Sequence, residues 1–153
     1  MNRILGAAAT AMTLLVTTAS PCSAAPRDFA SGSGKINFGG TLGHVNFTGH
    51  GTPTTANGQI RFDLEDSPFE SVEASVDCVS VTDNRAAISG TLRRPSGVFT
   101  HILIFVEDNG QPQGTDRATG IMANGPIPCA GTENVLTGDP LEQGNVIVRD
   151  NTS

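Results

Sequence analysis

The sequence contains an unbroken apolar run, Ile102-Leu103-Ile104-Phe105-Val106. An unbroken series of β-branched, aliphatic and aromatic residues predicts a strand that is buried on both faces. The run ends at Glu107-Asp108-Asn109-Gly110, where the Asn-Gly pair tolerates positive φ and favours a chain reversal. Residues 98–110 therefore predict a central strand followed by a turn, with the rest of the chain packed around it.

Apolar residues elsewhere alternate with polar ones, which is the period of a strand with one buried face. Residues 59–65 show this most clearly, since Ile60, Phe62 and Leu64 alternate with charged residues. Segments of this kind, separated by turn residues, predict eight strands at residues 34–40, 44–50, 59–65, 69–81, 85–93, 98–106, 115–123 and 144–149. No segment has the apolar period of a helix. The sequence therefore predicts an all-β domain, an antiparallel β-sandwich of the immunoglobulin-like or jelly-roll type.

The alternation changes phase near Cys78. Over residues 72–78 the apolar side chains occupy every second position and so share one face of a strand. Val79 and Val81 are apolar too, but they fall on the opposite face. A phase shift inside a strand indicates an extra residue on that strand. We therefore expect a β-bulge, or two short strands that meet at Cys78.

The N-terminus has the pattern of an export signal. Arg3 precedes a stretch of apolar and small residues, and residues 20–25 offer small side chains to a signal peptidase, which we expect to cleave after Ala24 or Ala25. The apolar stretch is too short and too rich in Thr, Ala and Gly for a membrane anchor. The sequence therefore predicts a secreted protein with a signal peptide at residues 1–25, a flexible leader at 26–33 and a β-sandwich domain at 34–150.

The charge of the chain limits its partners. It has 9 basic and 15 acidic residues and a formal net charge of −6, and Arg3 is the single charged residue in the predicted signal peptide. An acidic chain without a basic run is poorly suited to nucleic acid or to anionic membranes. No segment after residue 25 is apolar enough to span a bilayer. We expect an extracellular or cell-wall partner that the sequence does not identify.

The cysteine count changes when the signal peptide is removed. Cys22 leaves with it, and Cys78 and Cys129 remain as an even pair in an oxidising compartment, which favours a disulfide. This bond would close a loop of about 50 residues, and the chain-entropy argument then gives a stabilisation of about 4 kcal/mol. A metal pair and a reactive thiol are the alternatives, but there is no Cys-x-x-Cys motif and no histidine near either cysteine.

Three motifs follow one another along the chain: VDCVSV with NRAAISG at 76–90, VEDNGQP with TDR at 106–117, and GNVIV at 144–148. Their order and spacing, with a Gly-rich strand pair before them, resemble a group of small secreted all-β bacterial domains. These domains are common in actinobacteria, are often called hypothetical exported proteins, and also occur as modules of larger extracellular proteins. The resemblance covers most of residues 32–150. It implies an extracellular module of unassigned function, without catalytic residues.

Oxygen-bearing side chains are dense after the central strand, where Glu107, Asp108 and Asn109 precede Asp116. Calcium prefers carboxylate and carbonyl oxygens supplied by loops, so these four residues are the candidate ligands of a calcium site. Their spacing does not match an EF-hand loop. The alternative is that they cap backbone groups of a turn, because Asp and Asn are preferred there.

Signals for catalysis are weak. The chain lacks a Gly-x-Ser-x-Gly motif, keeps no free cysteine if the disulfide forms, and has no Trp or Tyr to stack on a sugar. His44, His50 and His101 lack the close spacing of a zinc site. We therefore predict no enzyme and no cofactor, and favour a structural or interaction module. A calcium- or glycan-binding module is the second hypothesis, and a small secreted hydrolase is the third.

Overall fold

The computed structural model describes residues 27–38, 41–65, 71–110 and 115–151. Its regular structure is all β and every strand pairing is antiparallel, which confirms the predicted class. The strands in chain order are β1 (Asp28–Phe38), β2 (Thr41–Gly51), β3 (Ala56–Leu64), β4 (Val72–Thr82), β5 (Arg85–Ser96), β6 (Phe99–Glu107), β7 (Arg117–Ala123), β8 (Asp139–Pro140) and β9 (Gln143–Arg149). The predicted signal peptide lies outside the described residues. Within them, no helix has the length and apolar character needed to cross a bilayer.

The described strands form one sheet in the order β8-β7-β6-β5-β4-β3-β2-β1-β9. β8 and β9 follow each other in the chain, yet they lie at opposite ends of this order. The segment between them bonds to both ends, because Leu141 N–H donates to the Asp116 carbonyl at 2.8 Å and Glu142 N–H donates to the Lys35 carbonyl at 3.0 Å. The sheet is therefore curled until its two ends approach each other.

This curled sheet, a half-barrel, does not confirm the predicted two-sheet sandwich. Because the sheet is curled, apolar residues on its inner face pack against residues from other strands of the same sheet. A second sheet is therefore not needed to bury the alternating apolar residues. Each of the eight predicted strands has a counterpart, and the two-residue β8 was not predicted. Alternation within a strand reports which residues are buried, but it does not report whether they face another sheet or the far side of their own.

β6 contains the apolar run and is buried on both faces, as predicted. Ile102, Ile104 and Val106 belong to the main core on the inner face. Leu103 and Phe105 belong to a second apolar cluster on the opposite face, which we call the outer face. β6 is the third strand from one end of the sheet rather than its middle, so its burial comes from a loop that covers its outer face.

β4 contains the predicted bulge. Val76 pairs with Gly90 and Cys78 pairs with Ser89, so the register shifts between Val76 and Cys78. Asp77 and Cys78 therefore both lie on the outer face, while Val76 and Val79 are in the core. The phase shift read from the sequence is confirmed as a β-bulge.

β1 begins inside the segment that was predicted to be a flexible leader. Phe29 to Ser33 pair with β2 on one side and with β9 on the other. Gly32 shows why a residue typical of flexible segments occurs in a strand that is paired on both sides. A Cβ at this position would lie 2.7 Å from the Asn145 carbonyl oxygen and 2.8 Å from the Phe47 ring. Small residues in this segment permit close packing between strands.

Candidate functional site

Asp108 and Asp116, two of the predicted calcium ligands, hold the last strand in place. Asp116 Oδ2 accepts the N–H of Val146 at 2.6 Å, and Asp108 Oδ2 accepts the N–H of Val148 at 3.1 Å. Successive residues of a strand direct their N–H groups to opposite sides, so the amides of Val146 and Val148, two positions apart, point to the same side, away from β1. The two carboxylates take the place of a neighbouring strand along the free edge of β9. We call Asp108 and Asp116 the aspartate clasp.

The other oxygen of each clasp carboxylate binds the turn after β6. Asp116 Oδ1 accepts the N–H of Asn109 at 2.9 Å, and Asp108 Oδ1 accepts the N–H of Gly110 at 3.0 Å. Asp116 is only 3% exposed. All four clasp oxygens therefore accept backbone N–H groups, as carboxylates do when they cap turns and strand ends. The clasp also protects β9, because a bare strand edge can pair with another chain.

The two remaining calcium candidates have other partners. Glu107 Oε2 lies 3.0 Å from Nη2 of Arg85, and the Asn109 amide donates to the Thr115 carbonyl at 2.9 Å. Within the described residues, no three His, Cys, Asp or Glu side chains are grouped so that they could hold a metal ion. The structure thus brings Asp108, Asn109 and Asp116 together, but the carboxylate oxygens of the two aspartates are directed at backbone N–H groups.

The histidines lie on two separate strands. His44 and His50 are exposed on β2, in the same alternation phase, as their six-residue spacing predicts. His101 is on β6, where its Nδ1 lies 2.8 Å from the Thr100 hydroxyl. Sheet pairing places Thr91, not another histidine, opposite His101. The three imidazoles are therefore not assembled into one site.

An irregular loop, residues 124–138, covers the outer face of β4, β5 and β6. Cys129 in this loop lies at disulfide-bonding distance from Cys78, with a Cα–Cα distance of 6.0 Å. A second link joins the same strand and loop, because the Ser80 hydroxyl donates a hydrogen bond to the buried Glu133 carboxylate. The bulge in β4 makes the first link possible, since it turns Cys78 toward the loop. These two links hold the loop against the sheet.

A groove of about 450 Å³ lies beside this loop. Polar residues of β4, β5 and β6 form its floor, while prolines and an isoleucine from two loops form its wall. We call it the Asp77 groove. Its lining residues are Pro53, Asp77, Cys78, Ser89, Thr91, His101, Pro126, Ile127 and Pro128.

Two hydroxyl groups orient the carboxylate at the floor of this groove. Ser89 Oγ donates to Asp77 Oδ1 at 3.0 Å, and Thr91 Oγ1 donates to Asp77 Oδ2 at 2.9 Å. Ser89 is only 2% exposed, whereas Asp77 is exposed. A buried donor on a paired strand therefore fixes the direction of a carboxylate that solvent and a ligand can reach.

The groove contains Ser, His and Asp, the residue types of a nucleophilic triad, but not their arrangement. Triad chemistry requires the serine hydroxyl to bond to an imidazole that takes its proton. Here Ser89 donates directly to Asp77, and the hydrogen-bond partner of His101 in the described structure is Thr100. A carboxylate is a poor base for a hydroxyl, because the pKa of an aspartic acid is far below that of an alcohol. The geometry suits binding by an oriented carboxylate.

Asp77, Ser89, Thr91 and His101 were not predicted as a group. They come from three strands, and the register that joins them depends on the bulge between Val76 and Cys78. The signal that could have found them is the shared outward phase of Asp77, Ser89 and Thr91 on two strands joined by a tight hairpin. Counting outward from that hairpin and through the bulge brings Asp77 next to both hydroxyls.

Scans of protein-family models, of curated proteins and of solved structures found no significant match to this chain. The resemblance to small secreted bacterial domains therefore stays a prediction.

Proposed function

We propose that this chain is an exported, non-catalytic interaction module that binds an extracellular or cell-wall partner through the Asp77 groove. Export is supported by the signal pattern of residues 1–25 and by two cysteines at disulfide-bonding distance, a bond typical of oxidising compartments. The all-β fold agrees with the extracellular module that the sequence motifs imply.

The observation that carries the proposal is the contrast between Asp77 and the other grouped carboxylates. The oxygens of Asp108 and Asp116 are occupied by backbone N–H groups, whereas Asp77 is exposed in a groove and oriented by two hydroxyls. An exposed and oriented polar group beside an apolar wall is typical of a binding site. Binding is favoured over hydrolysis because Ser89 has no imidazole partner.

The test uses the secreted chain, purified from culture medium and immobilised. Cell-wall and extracellular fractions are passed over the wild type, over Asp77→Asn and over Asp83→Asn. Asp83 is a matched control, because it is exposed in the β4–β5 turn outside the groove and its φ of 56° is readily adopted by Asn. We expect the wild type and Asp83→Asn to retain the same component and Asp77→Asn to lose it.

Two results would contradict the proposal. One is retention of the same component by all three proteins, which would place the contact elsewhere. The other is turnover of ester, peptide or glycoside substrates that disappears in Ser89→Ala, which would make the groove catalytic. Retention of the full-length chain inside the cell would contradict export alone.

A further inference from the structure

We infer that the Asp77 groove binds the protonated amino group of a lysine-type side chain, with the aliphatic stem against the proline wall. This inference rests on the proposed function, because it names the partner chemistry of the same groove. It goes beyond that function in specifying the charge, the donor number and the shape of the bound group.

The carboxylates near Asp77 on the outer face differ from it in their charge partners. Asp63 and Glu73 each have an arginine within ion-pair distance: Arg61 lies 3.0 Å from Asp63 and 3.6 Å from Glu73. Arg93 also approaches Glu73, at 3.5 Å. Asp77 forms no ion pair with any residue in the described ranges, and its partners are two neutral hydroxyls. It is therefore the outer-face carboxylate of β3 and β4 whose charge is left for a cation from outside the chain.

The Asp77 oxygens can accept more hydrogen bonds than Ser89 and Thr91 donate to them. An ionised carboxylate offers about four lone-pair sites, and Ser89 and Thr91 each occupy one of them. Both oxygens therefore keep an acceptor site. A primary ammonium carries three N–H donors on one compact charge, so it can bond to a carboxylate oxygen and still reach a neighbouring acceptor such as the Thr91 hydroxyl.

The wall of the Asp77 groove is apolar and suits an aliphatic chain. Pro53, Pro126, Ile127 and Pro128 present aliphatic surface along the groove. Lysine buries its methylene stem along apolar surface while its ammonium group stays at a polar site. The groove has no Phe, Tyr or Trp in its lining, where the imidazole of His101 is the one ring other than the prolines, and this favours an alkyl stem over a sugar ring. Because the Cys78–Cys129 link fixes the loop, the wall is present before the ligand arrives, which reduces the entropy lost on binding.

The experiment measures backbone amide chemical shifts of the secreted chain during titration with Nα-acetyl-lysine amide. Nα-acetyl-norleucine amide, which lacks the amino group, is the matched uncharged probe. Glucosamine is the probe for an amine on a sugar. The proteins are the wild type, Asp77→Asn, Asp83→Asn and Ser89→Ala.

We expect saturable shifts at Asp77, Thr91 and His101 with the lysine probe, and none with the norleucine probe at tens of millimolar. Asp77→Asn should weaken the affinity about tenfold, since a charge-assisted bond is lost, while Asp83→Asn should bind as the wild type does. Ser89→Ala should weaken binding less than Asp77→Asn because it removes the orientation of the carboxylate but not its charge.

The inference is overturned if the lysine probe gives no saturable shift, if the norleucine probe binds equally well, or if glucosamine binds more tightly than the lysine probe. Its failure is distinguishable from failure of the proposed function. If a cell-wall component is retained only when Asp77 is present, but the lysine probe does not bind, the proposed interaction module stands and the lysine-type ligand is ruled out.

Discussion

The aspartate clasp and the Asp77 groove use the same side chain for opposite purposes. In the clasp, Asp108 and Asp116 direct all four oxygens at backbone N–H groups of β9 and of the turn after β6. In the groove, Asp77 receives two hydroxyl bonds and remains exposed. From the sequence alone, the residues around the clasp were the better candidates for a binding site than Asp77, because their acidic side chains are close together in the chain.

The hydrogen-bond partners of carboxylate oxygens therefore indicate function better than the number of acidic residues close together in the sequence. A strand edge that must be closed without another strand needs acceptors, and aspartates supply them. A binding site needs an acceptor that is oriented and still accessible. Here the first need accounts for the motif that suggested calcium, and we propose that a single aspartate at a bulge, Asp77, meets the second.

Removal of the disulfide should have the largest effect and should separate the two regions. In Cys78→Ala/Cys129→Ala, the free energy of unfolding should fall by about 4 kcal/mol, because the link between two residues 51 positions apart no longer closes a loop in the unfolded chain. Urea unfolding measures this loss. Amide shifts at the Asp77 groove should change, because the loop wall is released, while those of Val146 and Val148 should stay. Equal changes in both regions would show that they are not independent.

Asp116→Ala should lower the free energy of unfolding by about 3 kcal/mol, because the buried N–H of Val146 and the part-buried N–H of Asn109 both lose a charged acceptor. Asp116→Asn is the milder variant, since it keeps one acceptor oxygen, and should lose about half as much. Urea unfolding of the two variants beside the wild type checks this order. A loss below about 1 kcal/mol in Asp116→Ala would mean that the clasp does not hold β9.

Asp77→Asn should change the free energy of unfolding by less than about 1 kcal/mol, because Asp77 is exposed and Asn keeps an acceptor for Ser89. The same urea titration measures it. A loss as large as that of Asp116→Ala would make Asp77 a structural residue and would erase the comparison between the two regions.

Calcium should have the smallest effect. Millimolar calcium chloride should leave the melting temperature unchanged, because the clasp oxygens already accept backbone N–H groups. Thermal unfolding monitored by circular dichroism measures it. A rise of several degrees that is absent in Asp116→Ala would restore the calcium site that the sequence suggested.

Local patterns in the sequence predicted much of the fold. The alternation of apolar residues predicted eight strands, and the phase shift at Cys78 predicted the bulge. The unbroken run at Ile102 to Val106 predicted burial on both faces. Each of these signals depends on residues within one strand, where alternation directly reports burial.

Long-range pairing was beyond these signals. The pairing of β9 with β1 joins residues more than 100 positions apart, and nothing local to Gly32 or Val146 indicates it. The role of Asp116 depends on that pairing, because the pairing of β9 with β1 brings the Val146 N–H within reach of its carboxylate. The Asp77 groove likewise needs the register across the bulge, so its residues looked like unrelated positions on a solvated face.

The hydrogen-exchange rates of the Val146 and Val148 backbone amides report whether the side chains of Asp116 and Asp108 replace a neighbouring strand along the free edge of β9, independently of Asp77. Both amides should be strongly protected in the wild type. Asp116→Ala should remove the protection of Val146, Asp108→Ala that of Val148, and Asp77→Asn neither. Exchange of both amides in the wild type as fast as that of an open turn would contradict the account.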